Sequence, residues 1–517
     1  MAMKSLFASY AGRLLSRPDA QNREGAPAYA YGPRHALAQM AMTGTLSPTF
    51  YASEHRQLAD VTEAVGKVDP AYLAKAAIWA RRRGAMKDMP ALLLAALSTK
   101  DPVLFARAFP RVVDNGRMLR TFVQIMRSGA VGRKSLGSRP KAMVEGWLAS
   151  ASDRQILQAA VGQQPSLADV IRMVHPKPAS AERRALYAYL IGRPYDVAAL
   201  PEAVVAFEAF KRDPLLPVPD VPFQMLTSLE LTPMHWAEIA KTAGWQMLRM
   251  NLNTFDRQCV FAVPGMTELI AARLADEREI AKARVLPYQL MAAYMAASRD
   301  VPLAVREALQ DAMEIATANV PAIPGRVVIC PDVSGSMSSP VTGFRKGATT
   351  AVRCIDVAAL VAAAMLRVNR EARVLPFEND VVAVEINPRD SVMTNAARLA
   401  AVGGGGTNCS APLAKLNAEK AKVDLVVFVS DNQSWMDART ADRTGLMQEW
   451  TKLKSRNRGA KLVCIDIQPY GTTQAVERDD VLNVGGFSDA VFETIALFAA
   501  GQLGPSHWVS EIEKIEL

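Results

Sequence analysis

Cysteine is scarce in this sequence, which has five in 517 residues and none in a CxxC pair or other metal-binding spacing. An odd number of scattered thiols in so long a chain argues against a disulfide framework, and the missing spacing argues against a thiolate zinc site. A reduced, cytoplasmic protein is therefore expected. The cysteines are Cys259, Cys330, Cys354, Cys409 and Cys464.

Long apolar runs are also missing. No stretch approaches the ~18 uninterrupted apolar residues of a membrane-spanning helix, so no membrane partner is expected. Residues 1–25 are basic but have no apolar core followed by a small-residue cleavage site, so no secretory signal is expected either. A mitochondrial transit peptide stays open as an alternative, because these residues include Arg and Ser and few acids.

Acidic residues are depleted in one part of the chain only. Residues 1–200 contain 28 Lys and Arg against 14 Asp and Glu, a net charge of +14. Residues 201–320 have a net charge of −4, and residues 321–517 have −1. A basic module beside near-neutral ones suggests a polyanion partner, most commonly nucleic acid. A solvated basic surface without a partner fits the composition equally well.

The first 320 residues have the pattern of successive amphipathic helices, with apolar residues at i, i+3, i+4 and i+7 and no convincing alternating strand before residue 325. So many short helices do not all fit into one bundle, and a stack of HEAT-like pairs of about 40–47 residues each is the expected solution. A large irregular helical domain is the alternative. The clearest helical segments are 71–84, 102–113, 151–162, 235–252 and 267–285.

From residue 326 the pattern becomes an alternation of apolar strands and amphipathic helices. Such an alternation predicts a mostly parallel, doubly wound α/β sheet with ligands at the carboxyl ends of its strands. The predicted domains are thus 1–320 and 326–517, joined by a linker at 320–325. The predicted strands are 326–331, 373–377, 381–386, 424–430, 461–467 and 481–484. The predicted helices are 351–369, 392–401, 408–420, 441–455 and 488–502.

Three loops of the second domain carry oxygen donors. Asp332, Ser334 and Ser336 follow the first predicted strand, Thr407 follows a glycine run, and Asp431 follows the strand at 424–430. Two carboxylates and three hydroxyls, with water completing an octahedron, suit a divalent cation such as Mg²⁺ or Mn²⁺. The alternative is that residues 332–337 cap a helix and that Asp431 is an ordinary turn residue.

The pattern DxSxS, then GGT, then Asp after an apolar strand resembles the metal-ion-dependent adhesion site of von Willebrand factor A domains. The resemblance implies a binding function in which an oxygen of a partner completes the metal shell. A phosphatase of the aspartyl-phosphate type would need a carboxylate at Ser334. A serine hydrolase would need G-x-S-x-G and a positioned histidine, but His507 is the domain's only histidine and lies outside such a motif. No enzyme activity is expected.

Basic residues of the first domain concentrate in two segments. A Gly- and Ser-containing stretch from Arg127 leads into a predicted helix ending near Trp147, and a second stretch ends in R-x-x-H-x-K-P. Lys and Arg give phosphate contacts, and a histidine can stack on or hydrogen-bond to an exposed base. Ordinary solvated side chains and a helix-capping histidine are the alternative. The candidate RNA-binding residues are Arg133, Lys134, Arg139, Lys141, Arg172, His175 and Lys177.

These segments are similar to the TROVE module of the Ro autoantigen family. Further similar motifs are NREG from Asn22, GTLSPTFYASE at 44–54, LPY at 286–288, and GGGTNCSAPL and FVSDNQSW in the second domain. The order of TROVE module and A domain resembles that family over nearly the whole chain.

The resemblance implies a ring of HEAT-like helices closed by the A domain. It also implies small structured Y-type RNA on a basic outer surface, single-stranded ends of misfolded RNA in a central hole, and a 3′–5′ exoribonuclease as a possible partner in RNA quality control. His175 matches the family's histidine associated with Y RNA, and Lys141 the nearby lysine; Pro140 departs from the pattern and should shift the start of its helix. The alternatives are a protein-binding scaffold without RNA and a subunit of a metal-chelatase-type complex.

Overall fold

The computed structural model describes residues 17–43, 45–84, 86–283, 285, 287–317, 320–344, 352–436, 444–486 and 489–517. The chain divides into two compact units, each described by itself. The helical unit consists of Val68–Arg273, Ser298–Val305 and Ile515–Leu517, and the sheet unit of Met1–Lys67, Leu274–Ala297 and Arg306–Lys514. The domains predicted from the sequence divide the chain once, near residue 320, whereas packing also places the segment before residue 68 with the sheet.

The sheet unit begins with two short strands, β1 (Ala20–Gln21) and β2 (Pro27–Ala30), and two helices, α1 (Pro33–Thr43) and α2 (Glu54–Gly66). The expectation of no strand before residue 325 was therefore wrong. Strands of two and four residues are too short to show an alternating pattern. Tyr29 of β2 pairs antiparallel with Thr473, so the partner of this strand lies at the other end of the chain.

The helical unit stacks short helices in layers. Helix Pro70–Arg82 packs against Asp88–Lys100 and Pro102–Val112, Asp88–Lys100 against Gly116–Ser128, Gly116–Ser128 against Asp153–Ala160, and Pro102–Val112 against Ser138–Ser150. Side-chain oxygens cap the N-termini of several of these helices. Asp69, for example, accepts a hydrogen bond from the backbone N–H of Tyr72. These helices are α3 (Pro70–Arg82), α4 (Asp88–Lys100), α5 (Pro102–Val112), α6 (Gly116–Ser128), α7 (Ser138–Ser150), α8 (Asp153–Ala160), α9 (Leu167–Val174), α10 (Ala181–Ile191), α11 (Glu202–Arg212), α12 (Phe223–Leu226), α13 (Pro233–Thr242), α14 (Trp245–Met250), α15 (Leu252–Arg257) and α16 (Met266–Leu274).

The chain continues through α17 (Glu277–Ala283), α18 (Pro287–Ala296) and α19 (Leu303–Thr317) into a five-stranded sheet. All paired neighbours of this sheet are parallel, in the order β4-β3-β5-β6-β8. The strands are β3 (Val327–Pro331), β4 (Arg373–Val374), β5 (Leu425–Ser430), β6 (Lys461–Asp466), β7 (Thr472–Thr473), which pairs with β2, and β8 (Val481–Gly485). The predicted fold class, a helical-repeat region followed by a doubly wound α/β domain, is confirmed.

Helices cover the sheet. They are α20 (Cys354–Val368), α21 (Val392–Ala400), α22 (Ala411–Ala418), α23 (Gly445–Arg456), α24 (Asp489–Ala499) and α25 (His507–Glu513). Every side chain of β3 and β5 is buried, as are nearly all of α20, because a parallel sheet is covered on both faces. The predicted starts of three helices, at 351, 441 and 488, lie outside the described residues.

One predicted strand is wrong. Residues 381–386 are mostly apolar and β-branched, which is typical of a strand, but only Val381 forms a bridge, to Phe377, and the rest of the segment has no strand neighbour. The sheet edge continues past β4 as far as Phe377, whose backbone N–H donates to Pro331 O at 3.1 Å, and Val382 N–H donates to Pro376 O beside it at 2.8 Å. Helix α25 was not predicted.

Across the described residues, no helix has both the length and the apolar character needed to cross a membrane.

Candidate metal centre and nucleic-acid interface

The first metal loop follows β3 directly. The backbone N–H of Asp332 still bonds to Val429 O of β5 at 2.9 Å, so the position of this aspartate is fixed by the sheet itself. The chain then turns, and the backbone N–H of Ser334 donates to Asp332 Oδ1 at 2.8 Å. A short 3-10 helix, Gly335–Ser338, places Ser336 beside Ser334. Asp332, Ser334 and Ser336 are all buried.

The second loop is held against the first by backbone hydrogen bonds. Gly335 N–H donates to Gly405 O at 3.0 Å, and Gly404 N–H donates to Val333 O at 3.0 Å. A Cβ at Gly335 would lie 3.3 Å from Gly405 O, so the absence of a side chain permits this close approach. The loops therefore bring Thr407 to the first loop.

The predicted donors meet at the carboxyl end of the sheet. Thr407 Oγ1 lies 3.0 Å from Ser334 Oγ, which lies 3.3 Å from Ser336 Oγ. Asp431 follows β5, the strand next to β3, and its carboxylate lies close enough to Asp332 for the two charges to interact. The structure thus brings all five sequence-predicted ligands together.

Without a counter-charge nearby, the charged forms of the two buried carboxylates are disfavoured. Burial raises the pKa of Asp332 above its ordinary value. Burial, and then the charge of Asp332, raises the pKa of Asp431 to about 7. Neither carboxylate forms an ion pair with a Lys or Arg of the described chain. A cation bound between them would remove both penalties.

The donor set fits a hard cation. It offers two carboxylates and three hydroxyls, and the described residues contain no group of three or more His, Cys, Asp and Glu able to hold a metal. Any ion here would depend on the hydroxyl oxygens and on water, which suits Mg²⁺ or Mn²⁺ better than Zn²⁺. This arrangement can hold a cation and leave part of its shell for another oxygen ligand.

Several residues that support this site were not predicted. Ser430 Oγ donates to Asp332 Oδ2 at 2.6 Å, and Gln433 N–H donates to Asp431 Oδ1 at 3.3 Å. Asn22 belongs to the N-terminal segment, and its Nδ2 donates to Ser434 O at 2.6 Å. The polar run 430–434 directly after an apolar strand was the available sequence signal for Ser430, Gln433 and Ser434.

Tyr51 also lies beside the candidate metal ligands. Its side chain hydrogen-bonds with Ser336, and burial, followed by the charge of Asp431, raises the pKa of its phenol. Its ring packs edge-on against Tyr470, with centroids 5.8 Å apart. In the sequence this tyrosine is noticeable only as part of a family motif. Its proximity to Ser336 depends on the tertiary structure.

The predicted RNA-binding residues divide into two groups by their partners. Arg133, Lys134, His175 and Lys177 are exposed and have no side-chain hydrogen bond or ion pair within the described residues. The other three are engaged. Arg139 donates to Pro102 O at 3.1 Å, Lys141 lies 3.8 Å from Glu145, and Arg172 donates to Ile191 O at 2.8 Å.

The two basic segments approach each other in the helical unit. Helix α9 packs against α7, which begins within the first segment. Two hydrogen bonds from Ser166, and then the charges of Arg172 and Arg127, lower the pKa of Asp169. Since Arg127 belongs to the first segment and Arg172 to the second, the segments lie close enough to form one surface. We call residues 127–147 and 172–177 the basic surface.

The backbone and the side chain of His175 have different surroundings. Its backbone ends α9 in the left-handed conformation, with φ of 52° and its N–H donating to Ile171 O at 3.0 Å. Its imidazole is exposed. The backbone thus serves as a helix cap, as the alternative interpretation expected, and the imidazole has no hydrogen bond or ion pair within the described residues.

Pro140 is accommodated within the helix that it was expected to shift. Helix α7 begins at Ser138, and the first bond into it runs from Lys141 N–H to Gly137 O at 3.1 Å. Pro140 lies in the first turn, where the backbone N–H that proline lacks would have no helical partner. A helix start at Ser138 is therefore compatible with this proline, and the shift relative to the family's pattern stays a prediction.

Comparisons with known proteins agree with this architecture. A family model described as the Ro60 vWA domain matches residues 326–499. The chain is 25% identical to the "RNA-binding protein RO60" of Deinococcus radiodurans over 526 residues, covering 95% of this chain and 97% of that protein. It is 24% identical to the "RNA-binding protein RO60" of Caenorhabditis elegans over 261 residues, which is 45% of this chain and 37% of that protein.

A solved structure has the same fold. The crystal structure of the Deinococcus radiodurans RO (RSR) protein matches with a TM-score of 0.59 at 22% identity, covering 91% of this chain and all of the other. At this identity the likeness concerns the fold alone.

Proposed function

Because the chain belongs to the Ro family, we propose that it binds RNA without altering it chemically. The basic surface holds small structured RNA of the Y type, and single-stranded ends of misfolded RNA enter a central hole. The protein then serves as a scaffold that presents RNA to a 3′–5′ exoribonuclease. The observation that carries the proposal is the set of exposed, unpaired cations and histidine on the basic surface.

The distribution of charge supports a polyanion partner for the helical unit. This unit contains 28 Lys and Arg against 19 Asp and Glu, whereas the sheet unit contains 32 of each. Unpaired cations on a net-positive unit attract phosphates and release counterions when they bind them. Free imidazole beside them can add a stacking or hydrogen-bonding contact to an exposed base.

The proposed function includes a divalent cation in the sheet unit. Asp332, Ser334, Ser336, Thr407 and Asp431 would hold Mg²⁺ or Mn²⁺, and the ion would supply a Lewis-acidic position for an oxygen of a partner. The chain's own residues prepare this site: Ser430 and the backbone of Ser334 orient Asp332, and the backbone of Gln433 orients Asp431.

We propose no hydrolytic activity. The sequence has no GxxxxGK[ST] motif, and two-metal hydrolysis needs ions ~3.5–4 Å apart with several bridging carboxylates. The two carboxylates of Asp332 and Asp431 are fewer than such a two-metal site needs. Labelled single-stranded and structured RNAs should stay intact in the presence of pure protein and Mg²⁺. Degradation that disappears in Asp332→Ala would make the site catalytic and reject this part of the proposal.

A second function, binding of a protein ligand at the cation, is favoured by exposed apolar side chains beside the second loop. The backbone N–H groups of Trp435 and Met436 donate to Thr407 O, at 3.1 and 3.2 Å, and both side chains are about 40% exposed, at 43% and 39%. Large apolar and aromatic side chains are enriched at the centres of protein interfaces. Protein bound in a Mg²⁺-dependent manner, with RNA binding absent, would favour this function over the first.

The decisive experiment is a binding titration with the full chain. A structured small RNA and a single-stranded RNA are titrated separately, each at several salt concentrations. We expect both to bind, with log K falling linearly against log salt. A ribonuclease-sensitive nucleic-acid absorbance in the freshly purified protein would agree with this expectation. If neither RNA binds at low salt, the proposal is rejected.

A further inference from the structure

The helical unit contains an open groove of about 1280 Å³. It lies between α6, α8, the turn 161–164, the loop 217–222, α12 and α13. Small-molecule sites usually have about 300–1,000 Å³, so this groove is larger than a small ligand needs. Its size fits a segment of a polymer.

Amide side chains line this groove, which we call the glutamine groove. Its five glutamines are exposed, and none has a side-chain hydrogen bond within the described part of the chain. Each amide offers two donors and one acceptor oxygen, in the arrangement that pairs with the edge of a nucleobase. The glutamines are Gln124, Gln158, Gln163, Gln164 and Gln224.

The groove is built on fixed elements. Arg117, Thr121 and Gln124 are spaced so that they share one face of α6. From the same face Arg120 Nη2 donates to Val161 O at 2.6 Å, which holds the turn that carries Gln163 and Gln164. Gly162 has a φ of 106°, which favours glycine, and a Cβ there would also lie 2.6 Å from Arg120 Nη1 of the packed guanidinium. Arg120 is therefore a positioning residue.

The charges around the groove nearly cancel. Three arginines and four acids line it, and Arg154 lies 3.2 Å from Asp220 across it. A trough for phosphates would show a clear excess of cations, as the basic surface does. The amides and balanced charges instead favour uncharged groups with donor and acceptor edges.

Apolar side chains add a surface for stacking. Val218, Val221, Phe223 and Met247 line the groove and are half-buried, so part of each contacts whatever occupies it. A base can stack on the aromatic ring of Phe223 without regard to sequence, the aliphatic side chains add apolar contact, and hydrogen bonds to base edges then discriminate between bases.

We propose that the glutamine groove makes base-selective contacts with single-stranded RNA. The helical unit's positive charge brings the RNA, and the groove reads its base edges by amide hydrogen bonds rather than by charge. This inference rests on the proposed RNA-binding function and deepens it. An extended protein segment is the competing occupant.

The test compares affinities for short single-stranded RNAs of A, C, G or U only. The full chain is compared with Gln163→Ala/Gln164→Ala and with Gln124→Ala/Gln158→Ala. Gln502→Ala, an exposed glutamine of the sheet unit, is the matched control. We expect the native chain to prefer one base, and each pair of substitutions to reduce that preference about fivefold or more. The slope of log K against log salt should stay unchanged, because no charge is removed.

Equal affinity of the native chain for all four RNAs would overturn the inference, and so would preference that survives in both double variants. The second result would leave the groove to another occupant, such as a protein segment. Structured RNA is titrated beside these probes: if it binds normally while base preference is absent, only this inference fails, whereas loss of all RNA binding rejects the proposed function. Melting temperatures of the variants show whether they are folded. Photo-crosslinking of single-stranded RNA to residues 117–124 and 153–164 shows whether the RNA lies in the glutamine groove.

Discussion

Ser430 donates a 2.6 Å hydrogen bond to Oδ2 of Asp332, although 98 positions separate the two residues. Both are buried, and they lie at the carboxyl ends of the neighbouring parallel strands β5 and β3. The other oxygen of the carboxylate accepts from the backbone N–H of Ser334 at 2.8 Å. The principal predicted metal ligand is therefore oriented by two loops at once.

Replacing Ser430 should weaken cation binding without removing a ligand. In Ser430→Ala the carboxylate of Asp332 loses one orienting donor, and loss of such outer hydrogen bonds usually lowers metal affinity about 10–100-fold. Calorimetric titration with Mn²⁺ or Mg²⁺ measures the effect. The matched control is Ser338→Ala, which removes an exposed hydroxyl bonded to Gly335 O. Equal affinities of the two variants would contradict the supporting role of Ser430.

The stability of the metal-free protein should fall as pH rises toward neutrality. The pKa of Asp431 is raised from 3.8 to about 7 by burial and by Asp332. The folded state therefore holds this proton more tightly than the unfolded state. Its contribution to stability is full below about pH 4 and is lost as pH rises to about 7, by at most about 1.4 kcal/mol per pH unit.

Mg²⁺ should cancel this loss, because the cation takes the place of the proton. Denaturant unfolding at about pH 5 and about pH 8, with and without Mg²⁺, checks the sign. The expected stabilisation by Mg²⁺ is larger at the higher pH. Asp431→Asn should abolish the difference, since it removes both the titrating group and a metal ligand. Stabilisation that is greater at the lower pH would be incompatible with this site.

The salt dependence of RNA binding should identify the unpaired cations of the basic surface. The slope of log K against log salt is negative, and removing one cation that binds a phosphate reduces the magnitude of this slope by about 0.7–0.9. Arg133→Gln/Lys134→Gln should therefore lower it by roughly 1.5, and adding Arg139→Gln and Lys141→Gln should lower it further. The smaller step is expected from Lys141, which already lies 3.8 Å from Glu145.

The control for that experiment is Lys420→Gln/Lys422→Gln, which removes two exposed lysines of the sheet unit. It lowers the net charge of the chain by the same amount as the first double variant. A slope that falls equally in both would mean that overall charge, and not the basic surface, attracts the RNA.

The side chain of His175 should matter for RNA and its backbone for the helix. His175→Asn suits the left-handed conformation at φ of 52°, which asparagine tolerates. We expect affinity for structured RNA to fall by ~1–3 kcal/mol, the range for loss of a stacked base, with an unchanged melting temperature. A lower melting temperature with normal RNA affinity would reduce this histidine to a structural cap.

Two glycines of the helical unit should respond oppositely to alanine. A Cβ at Gly116 would lie 2.1 Å from Ala159 Cβ and 2.6 Å from Ala159 Cα, so α6 and α8 would have to separate. Gly116→Ala should destabilise the unit by about 1–3 kcal/mol or more. Gly146 lies inside α7 with nothing within 4 Å of its Cβ, and Gly146→Ala should stabilise by roughly 0.5–1 kcal/mol. Denaturation midpoints of the two variants measure both; the same sign for both would contradict the packing.

The sequence predicts those features that depend on neighbours along the chain. Helix α5 and strand β5 were predicted within one residue at each end, because an apolar period reports which face of an element is buried. The positions of Asp332, Thr407 and Asp431 as candidate ligands follow from the same logic, since parallel strands direct their carboxyl ends to one edge.

Tertiary structure alone decided which distant elements meet. Strand β2 is paired by Thr472–Thr473, Asp332 is oriented by Ser430, and Asn22 holds the loop at Ser434. The glutamine groove likewise combines α6, α8 and α13, none of which is unusual by itself. Periodicity in a sequence specifies that a face is buried but not against what; the partner is fixed by the order and register of strands and by the stacking of helices, which only the folded chain defines.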